Sequence, residues 1–124
     1  MAVKIALADD HQLVRKGIRL LLENIKNFQV VTEAENGKEL IDQIRALEQL
    51  PDLVLVDVNM PVMDGKETVK ILRNDYPELK IVALSVDTDL SIIRELIRLG
   101  ANAYLFKDSS PDVFREVLLE VNAK

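Results

Sequence analysis

Residues 53–57 read LVLVD, four consecutive apolar residues closed by an acid, and residues 80–85 read KIVALS. Neither run alternates apolar with polar residues, the pattern of strands covered on both faces. Three further β-rich runs accompany them, so that the set is Val3–Ala8, Phe28–Ala34, Asp52–Asp57, Lys80–Ser85 and Ala103–Phe106. Between and after them, apolar residues recur at helical spacing: Val14, Ile18, Leu21, Leu22 and Ile25, then Leu40, Ile44 and Leu47, then Val69 and Leu72, then Ile93 and Ile97. Phe114, Val117, Leu118 and Val121 close the series at i, i+3, i+4 and i+7.

Boundary residues agree with this alternation. Asn36 with Glu39, and Asp64 with Glu67, have the spacing of capping boxes. Gly100 sits where a left-handed residue would end the fourth helix, and Ser110-Pro111 reads as a cap followed by proline at the first helical position. Strict strand–helix alternation with short connections predicts a parallel sheet with helices on both faces and right-handed crossovers. A closed barrel needs eight such units, so five predict an open, doubly wound α/β sheet.

Composition narrows the chemistry. The 124 residues carry a formal net charge of −5, with no cysteine and one histidine, His11. Thiol catalysis, disulfide scaffolds and cysteine-ligated metals are excluded, as are multi-histidine metal sites and any Ser-His-Asp triad not built on His11. No apolar run approaches ~18 residues, and the N-terminus lacks a signal-peptide layout, so the chain is expected to be soluble and cytoplasmic. Its acidity argues against direct attraction to a phosphate backbone.

In an open parallel sheet, function gathers at the carboxyl ends of the strands. Asp9-Asp10 follow the first strand, Asp57 ends the third, Ser85 ends the fourth and Lys107 follows the fifth. Each has a plainer reading alone: Asp10 as a helix cap, Asp57 as a solvated strand end, Ser85 as a loop serine, Lys107 as a surface lysine. Tyr104 in the fifth strand would then only pack, and His11 would be a surface or capping residue. Their convergence on one edge is what counts. Carboxylates ~4 Å apart repel by ~1 kcal/mol in water and ~4 kcal/mol at an effective dielectric near 20, so three on one rim call for a cation. Oxygen ligands at a shallow, hydrated rim favour Mg²⁺. With Lys107 and the Ser85 hydroxyl, that ion could hold a phosphoryl group against an Asp57 oxygen, giving an aspartyl phosphate.

At IALADDH, LVLVDVNMPVMDG, IVALS and AYLFK the sequence resembles the receiver domain of bacterial response regulators, over essentially its whole length. The resemblance implies a flavodoxin-like (βα)5 fold with strand order 2-1-3-4-5. It implies Asp57 as phosphoacceptor, and Asp9, Asp10, Asp57 and the Asn59 backbone carbonyl around Mg²⁺, Asp9 partly through water. Lys107 would bind the phosphoryl group, Ser85 would be the switch hydroxyl and Tyr104 the switch aromatic, with Met60-Pro61 and Gly65 shaping the loop. The donor would be a sensor histidine kinase or phosphotransfer protein, and the output surface would include the fourth helix, fifth strand and fifth helix. DDHQLVRKGIRLLLE and KDSSPDVFREVL are similar to receivers of NarL/FixJ-type transcription regulators, which carry a LuxR-type helix-turn-helix domain. The expectation is therefore a single receiver domain over 1–124, excised from a longer regulator or standing alone. It would be a signalling switch rather than an ordinary enzyme, forming a phosphorylation-dependent homodimer and reaching DNA only through a missing output domain.

Two positions depart from the family pattern. Asp108 replaces the usual proline after the lysine, where base rates favour a trans bond. Val86 replaces a commonly small residue, and its branched side chain would shield the phosphoryl group and slow its loss. Rival readings fit less well. A haloacid-dehalogenase-like phosphohydrolase needs an aspartate where Asn59 stands. An FMN or dinucleotide site needs a Ser/Thr/Gly-rich phosphate loop or a G-x-G-x-x-G, and Asp9-Asp10 would repel a phosphate there. A pseudo-receiver that only binds protein would not need the intact acid–Ser–Lys set. Arg15, Lys16 and Arg19 on the first helix read either as a kinase-docking face or as a solvated one.

Overall fold

A computed structural model describes residues 2–86 and 88–124. Its elements run β1 (Val3–Ala8), α1 (Gln12–Glu23), β2 (Phe28–Ala34), α2 (Gly37–Ala46), β3 (Leu53–Asp57), α3 (Gly65–Asp75), β4 (Lys80–Ser85), α4 (Leu90–Leu99), β5 (Ala103–Phe106) and α5 (Pro111–Ala123). The strands form one parallel sheet in the order β2-β1-β3-β4-β5. This is the doubly wound order the resemblance implied. Its switch point lies between β1 and β3, where successive crossovers leave in opposite directions.

The central strands β1, β3 and β4 are buried because their two faces meet different helices. Ala6, Ala8, Val54, Val56, Ile81 and Ala83 pack with Leu40, Ile44, Val69, Leu72 and Leu96 of α2, α3 and α4. Ile5, Leu7, Leu53, Leu55, Val82, Leu84 and Leu105 pack with Ile18, Leu22, Phe114 and Leu118 of α1 and α5. With apolar contact on both sides, every residue of LVLVD is buried.

The helix starts use the expected caps. The side chains of Asn36, Asp64 and Ser110 accept the backbone N–H groups of Glu39, Glu67 and Val113. Gly100 ends α4 at φ 126°, with its N–H and that of Ala101 both turned back onto Leu96 O. The first helix differs. It starts at Gln12 with His11 at the cap position and no side-chain cap, so Asp10 does not cap it.

One boundary and one helix face differ from the sequence reading. β3 starts at Leu53 rather than Asp52, because the β1 ladder begins at Ile5–Leu53 and the Asp52 carboxylate instead takes the Lys4 N–H at 2.8 Å. On α4 the core position is Leu96, 1% exposed, whereas Ile97 is 44% exposed. From Ile93 both i+3 and i+4 are apolar, and periodicity alone does not choose between them. No helix among the described residues is long and apolar enough to cross a membrane. No cis peptide bond is present among those residues, so Lys107–Asp108 is trans.

Candidate functional site

Register brings the polar residues together. β1 pairs with β3 through Ala8–Val56, so the next residues on each, Asp9 and Asp57, emerge side by side at the switch point. β3 pairs with β4 through Asp57–Leu84, which puts Ser85 one step beyond Asp57, and Ser85 pairs with Phe106, just before Lys107. The Lys107 N–H donates to Ser85 O at 3.0 Å and carries the β5 ladder into the site.

The loop after β3 is folded tightly under the pocket. Val58 N–H donates to Leu84 O at 3.0 Å and Gly65 N–H donates to Val58 O at 2.8 Å, drawing the start of α3 against the end of β3. A Cβ on Gly65 would overlap the Asp57 carbonyl oxygen and the Val58 Cα, which is why D-x-x-M-P-x-M-D must be followed by glycine here.

Asp9 and Asp57 are buried, as is Ser85. The Lys107 side chain is 11% exposed, and its ammonium stands 2.8 Å from Asp9 Oδ2 and 2.9 Å from Asp57 Oδ2, bridging the two acids. Backbone N–H groups take the other oxygens: His11 N donates to Asp9 Oδ1 at 2.9 Å and Asn59 N to Asp57 Oδ1 at 3.2 Å. Asp10 is 29% exposed at the mouth, where His11 Nδ1 lies 3.2 Å from its Oδ1. Tyr104 is half-buried against the α3–α4 side of the core, its ring edge-on to Phe106 at 5.3 Å.

Burial is the dominant force on Asp57. Desolvation pushes its carboxyl up to about 6, against the hydrogen bond and charge of Lys107, which lower it, while the neighbouring Asp9 charge adds to the rise. Burial also pulls on Lys107, downward, but its contacts with Asp9 and Asp57 outweigh that and hold the ammonium above its ordinary value. One lysine is thus shared between two buried acids. The ion pairs are short, yet Asp9 Oδ2 and Asp57 Oδ2, with Asp10 Oδ1, are buried oxygens without a hydrogen bond of good angle.

This donor set fits a hard divalent cation. Asp9, Asp10, His11 and Asp57 each offer an atom within 4.8 Å of all the others, and three of the four donors are carboxylate oxygens, with charge in excess of what Lys107 supplies. The expected residues Asp9, Asp10, Asp57, Asn59, Ser85 and Lys107 all meet at this edge, with Tyr104 two ladder steps behind Phe106.

Two residues were read differently from sequence. His11 is exposed, as a surface histidine would be, but its ring also lines the acid cluster. Arg15 is not a solvated side chain: it is 13% exposed and its guanidinium donates to Asp9 O at 2.7 Å. The available signal was their placement at and one turn beyond the end of β1, next to the acidic pair.

Fold and pocket together define a doubly wound α/β domain with a lysine-bridged acidic site at the switch point of its sheet. Residues 5–119 match the response regulator receiver domain, and the chain belongs to that family of two-component signalling proteins. It is 35% identical to the transcriptional regulatory protein LnrK of Bacillus subtilis over 121 residues, covering 98% of this chain and 54% of that protein. It is 39% identical to the nitrate/nitrite response regulator protein NarP of Escherichia coli over 115 residues, covering 93% and 53% respectively. The chain therefore spans about half the length of these curated relatives. Among solved structures, the signal receiver domain of the response regulator NarL from Mycobacterium tuberculosis superposes with a TM-score of 0.91 at 29% identity, covering 98% of this chain and 97% of that one.

Proposed function

We propose that Asp57 accepts a phosphoryl group from a phosphohistidine on a sensor histidine kinase or phosphotransfer protein, in a reaction that depends on Mg²⁺. An Asp57 carboxylate oxygen forms the new bond to phosphorus as the bond to the donor nitrogen breaks, leaving an acyl phosphate on Asp57 and a free histidine on the donor. Asp9, Asp10, Asp57 and the Asn59 carbonyl would hold the ion, which supplies neutralisation of the charge on the phosphoryl oxygens.

Lys107 supplies the second positive charge. Its ammonium already lies within 3 Å of both buried acids. When the phosphoryl group arrives, the ammonium exchanges a carboxylate partner for a phosphoryl oxygen at little reorganisation cost. The Asn59 N–H, donating to Asp57 Oδ1, fixes the rotation of the carboxylate for attack. The Ser85 hydroxyl then bonds the phosphoryl group, Tyr104 follows inward, and the surface formed by α4, β5 and α5 changes. That is a population shift between two states of one fold, not turnover of a small molecule.

In the full regulator this surface would control homodimer formation and a DNA-binding output domain in the cytoplasm. The domain catalyses its own phosphorylation and dephosphorylation. The observation that carries the reading is the shared lysine: one ammonium between two buried acids whose facing oxygens lack good hydrogen bonds. Intact mass after incubation with a small phosphodonor tests it. One added phosphoryl group is expected with Mg²⁺ and none with a chelator. No addition with any donor would favour a receiver that acts only by binding protein.

A further inference from the structure

Arg15 closes the first turn of α1, yet its side chain is only 13% exposed. Nη1 donates to the Asp9 carbonyl oxygen at 2.7 Å, while Nε lies 3.3 Å from Glu33 Oε1. Glu33 is the penultimate residue of β2, level with Leu7 of β1, and Arg19 Nη1 holds its other oxygen at 3.0 Å. The guanidinium is therefore strung between the end of β2 and the carbonyl that leaves β1.

That carbonyl matters because it shares a rigid plane with the amide of Asp10. Asp9 N–H is fixed on Ala34 O at 3.0 Å, and Asp9 Oδ1 accepts the His11 N–H. With the carbonyl held by Arg15, every polar group of Asp9 except Oδ2 is tied to the scaffold. The remaining oxygen faces Lys107 and the pocket. The direction in which the Asp10 side chain leaves the backbone is set by the same peptide plane. A guanidinium suits this task, since its planar fork reaches two acceptors at once, which a lysine ammonium on its flexible stem does less rigidly.

We propose that Arg15, seated on Glu33, is a positioning residue of the cation pocket: it fixes the Asp9–Asp10 peptide and so sets the affinity for a divalent cation without touching the ion. The inference rests on Asp9 and Asp10 being cation ligands. Charge alone predicts the opposite sign, because removing a positive side chain beside an acid cluster strengthens cation binding. The double variant Arg15→Gln/Glu33→Gln leaves the net charge unchanged and isolates positioning.

The test is a titration of the receiver with MgCl₂, followed by backbone amide NMR, which reads affinity and fold without reference to activity. The double variant is expected to bind Mg²⁺ roughly ten-fold more weakly than wild type, the scale of an outer-shell loss. Its phosphorylation rate at saturating Mg²⁺ should return to about the wild-type value, a shift in the Mg²⁺ requirement rather than in the maximal rate. Unchanged affinity with an intact amide spectrum would overturn the proposal, as would tighter binding. If the double variant unfolds, Arg15→Gln alone decides: weaker binding is expected where charge alone predicts tighter, and unchanged or tighter binding overturns it. Absence of any Mg²⁺-dependent shift near Asp9, Asp10 and Asp57 in wild type would overturn the cation reading itself, and this inference with it.

Discussion

The two ends of the sheet are built on opposite rules. At the amino ends polar groups are paired: Asp52 and Lys4 exchange bonds, Val3 N–H meets Asn27 O, and Asn102 Oδ1 accepts from both Ile81 N–H and Arg73. At the carboxyl ends Asp9 and Asp57 are buried beside one shared lysine, and their facing oxygens lack well-directed hydrogen bonds. The same strands thus end in a satisfied rim and in an electrostatically short one. The difference locates function, because an arrangement that costs stability on its own is expected where a ligand completes it.

The largest expected effect removes what compensation the carboxyl end has. Lys107→Ala leaves two buried carboxylates without their cation and should destabilise the metal-free domain by about 3 kcal/mol in denaturant titrations. Phosphorylation should fall with it.

Asp57→Asn should act in the other direction on stability. Burial raises the Asp57 carboxyl to about 6 from an ordinary 3.8. A raised acid contributes stability that is fully present below the unfolded value and is lost as pH rises through about 6. The metal-free variant should therefore be more stable than wild type by on the order of 2 kcal/mol at pH 7, with the gap closing below about pH 4. Adding Mg²⁺ should narrow the gap at pH 7, since only the wild-type carboxylate set binds it fully. Thermal melts across pH, with and without chelator, read all of this.

At the amino end the balance should invert. Asn102→Ala leaves the Ile81 N–H without its acceptor and takes one of the partners of Arg73, costing about 1–2 kcal/mol. Mg²⁺-dependent phosphorylation should be unchanged. A large loss of phosphorylation there would break the division between the two ends.

The smallest effect belongs to the rim. Val86 is 74% exposed beside Ser85, so Val86→Ala should shift stability by less than about 0.5 kcal/mol. It should nonetheless shorten the lifetime of the aspartyl phosphate, followed by loss of the phosphorylated mass. An unchanged lifetime would remove Val86 from the account.

Much of this division is legible in the sequence, and the limits are instructive. LVLVD and KIVALS announce buried strands because burial on both faces requires apolar residues at every step. Asn36, Asp64 and Ser110 announce helix starts because a cap is a local bond between a residue and its third neighbour. The meeting of Asp9, Asp57, Ser85 and Lys107 follows from parallel register, which aligns strand ends whatever their separation in the chain. Ile97 and Leu96 satisfy the same periodicity from Ile93 because they are apolar residues one position apart, and only the seating of α4 chooses Leu96 for the core. Arg15 and His11 escaped because their roles depend on where a long side chain on α1 and an exposed one at its cap position turn. No spacing rule states that.

The central claim is that the carboxyl end is short of positive charge because Asp57 is a phosphoacceptor. Borohydride reduction of the phosphorylated protein converts an acyl phosphate to an alcohol, turning a modified aspartate into homoserine, and tandem mass spectrometry then locates it. Homoserine at position 57, formed only when Mg²⁺ was present, is the predicted result. Homoserine at Asp9, Asp10 or elsewhere, or none in a protein that carries the added mass, would contradict it.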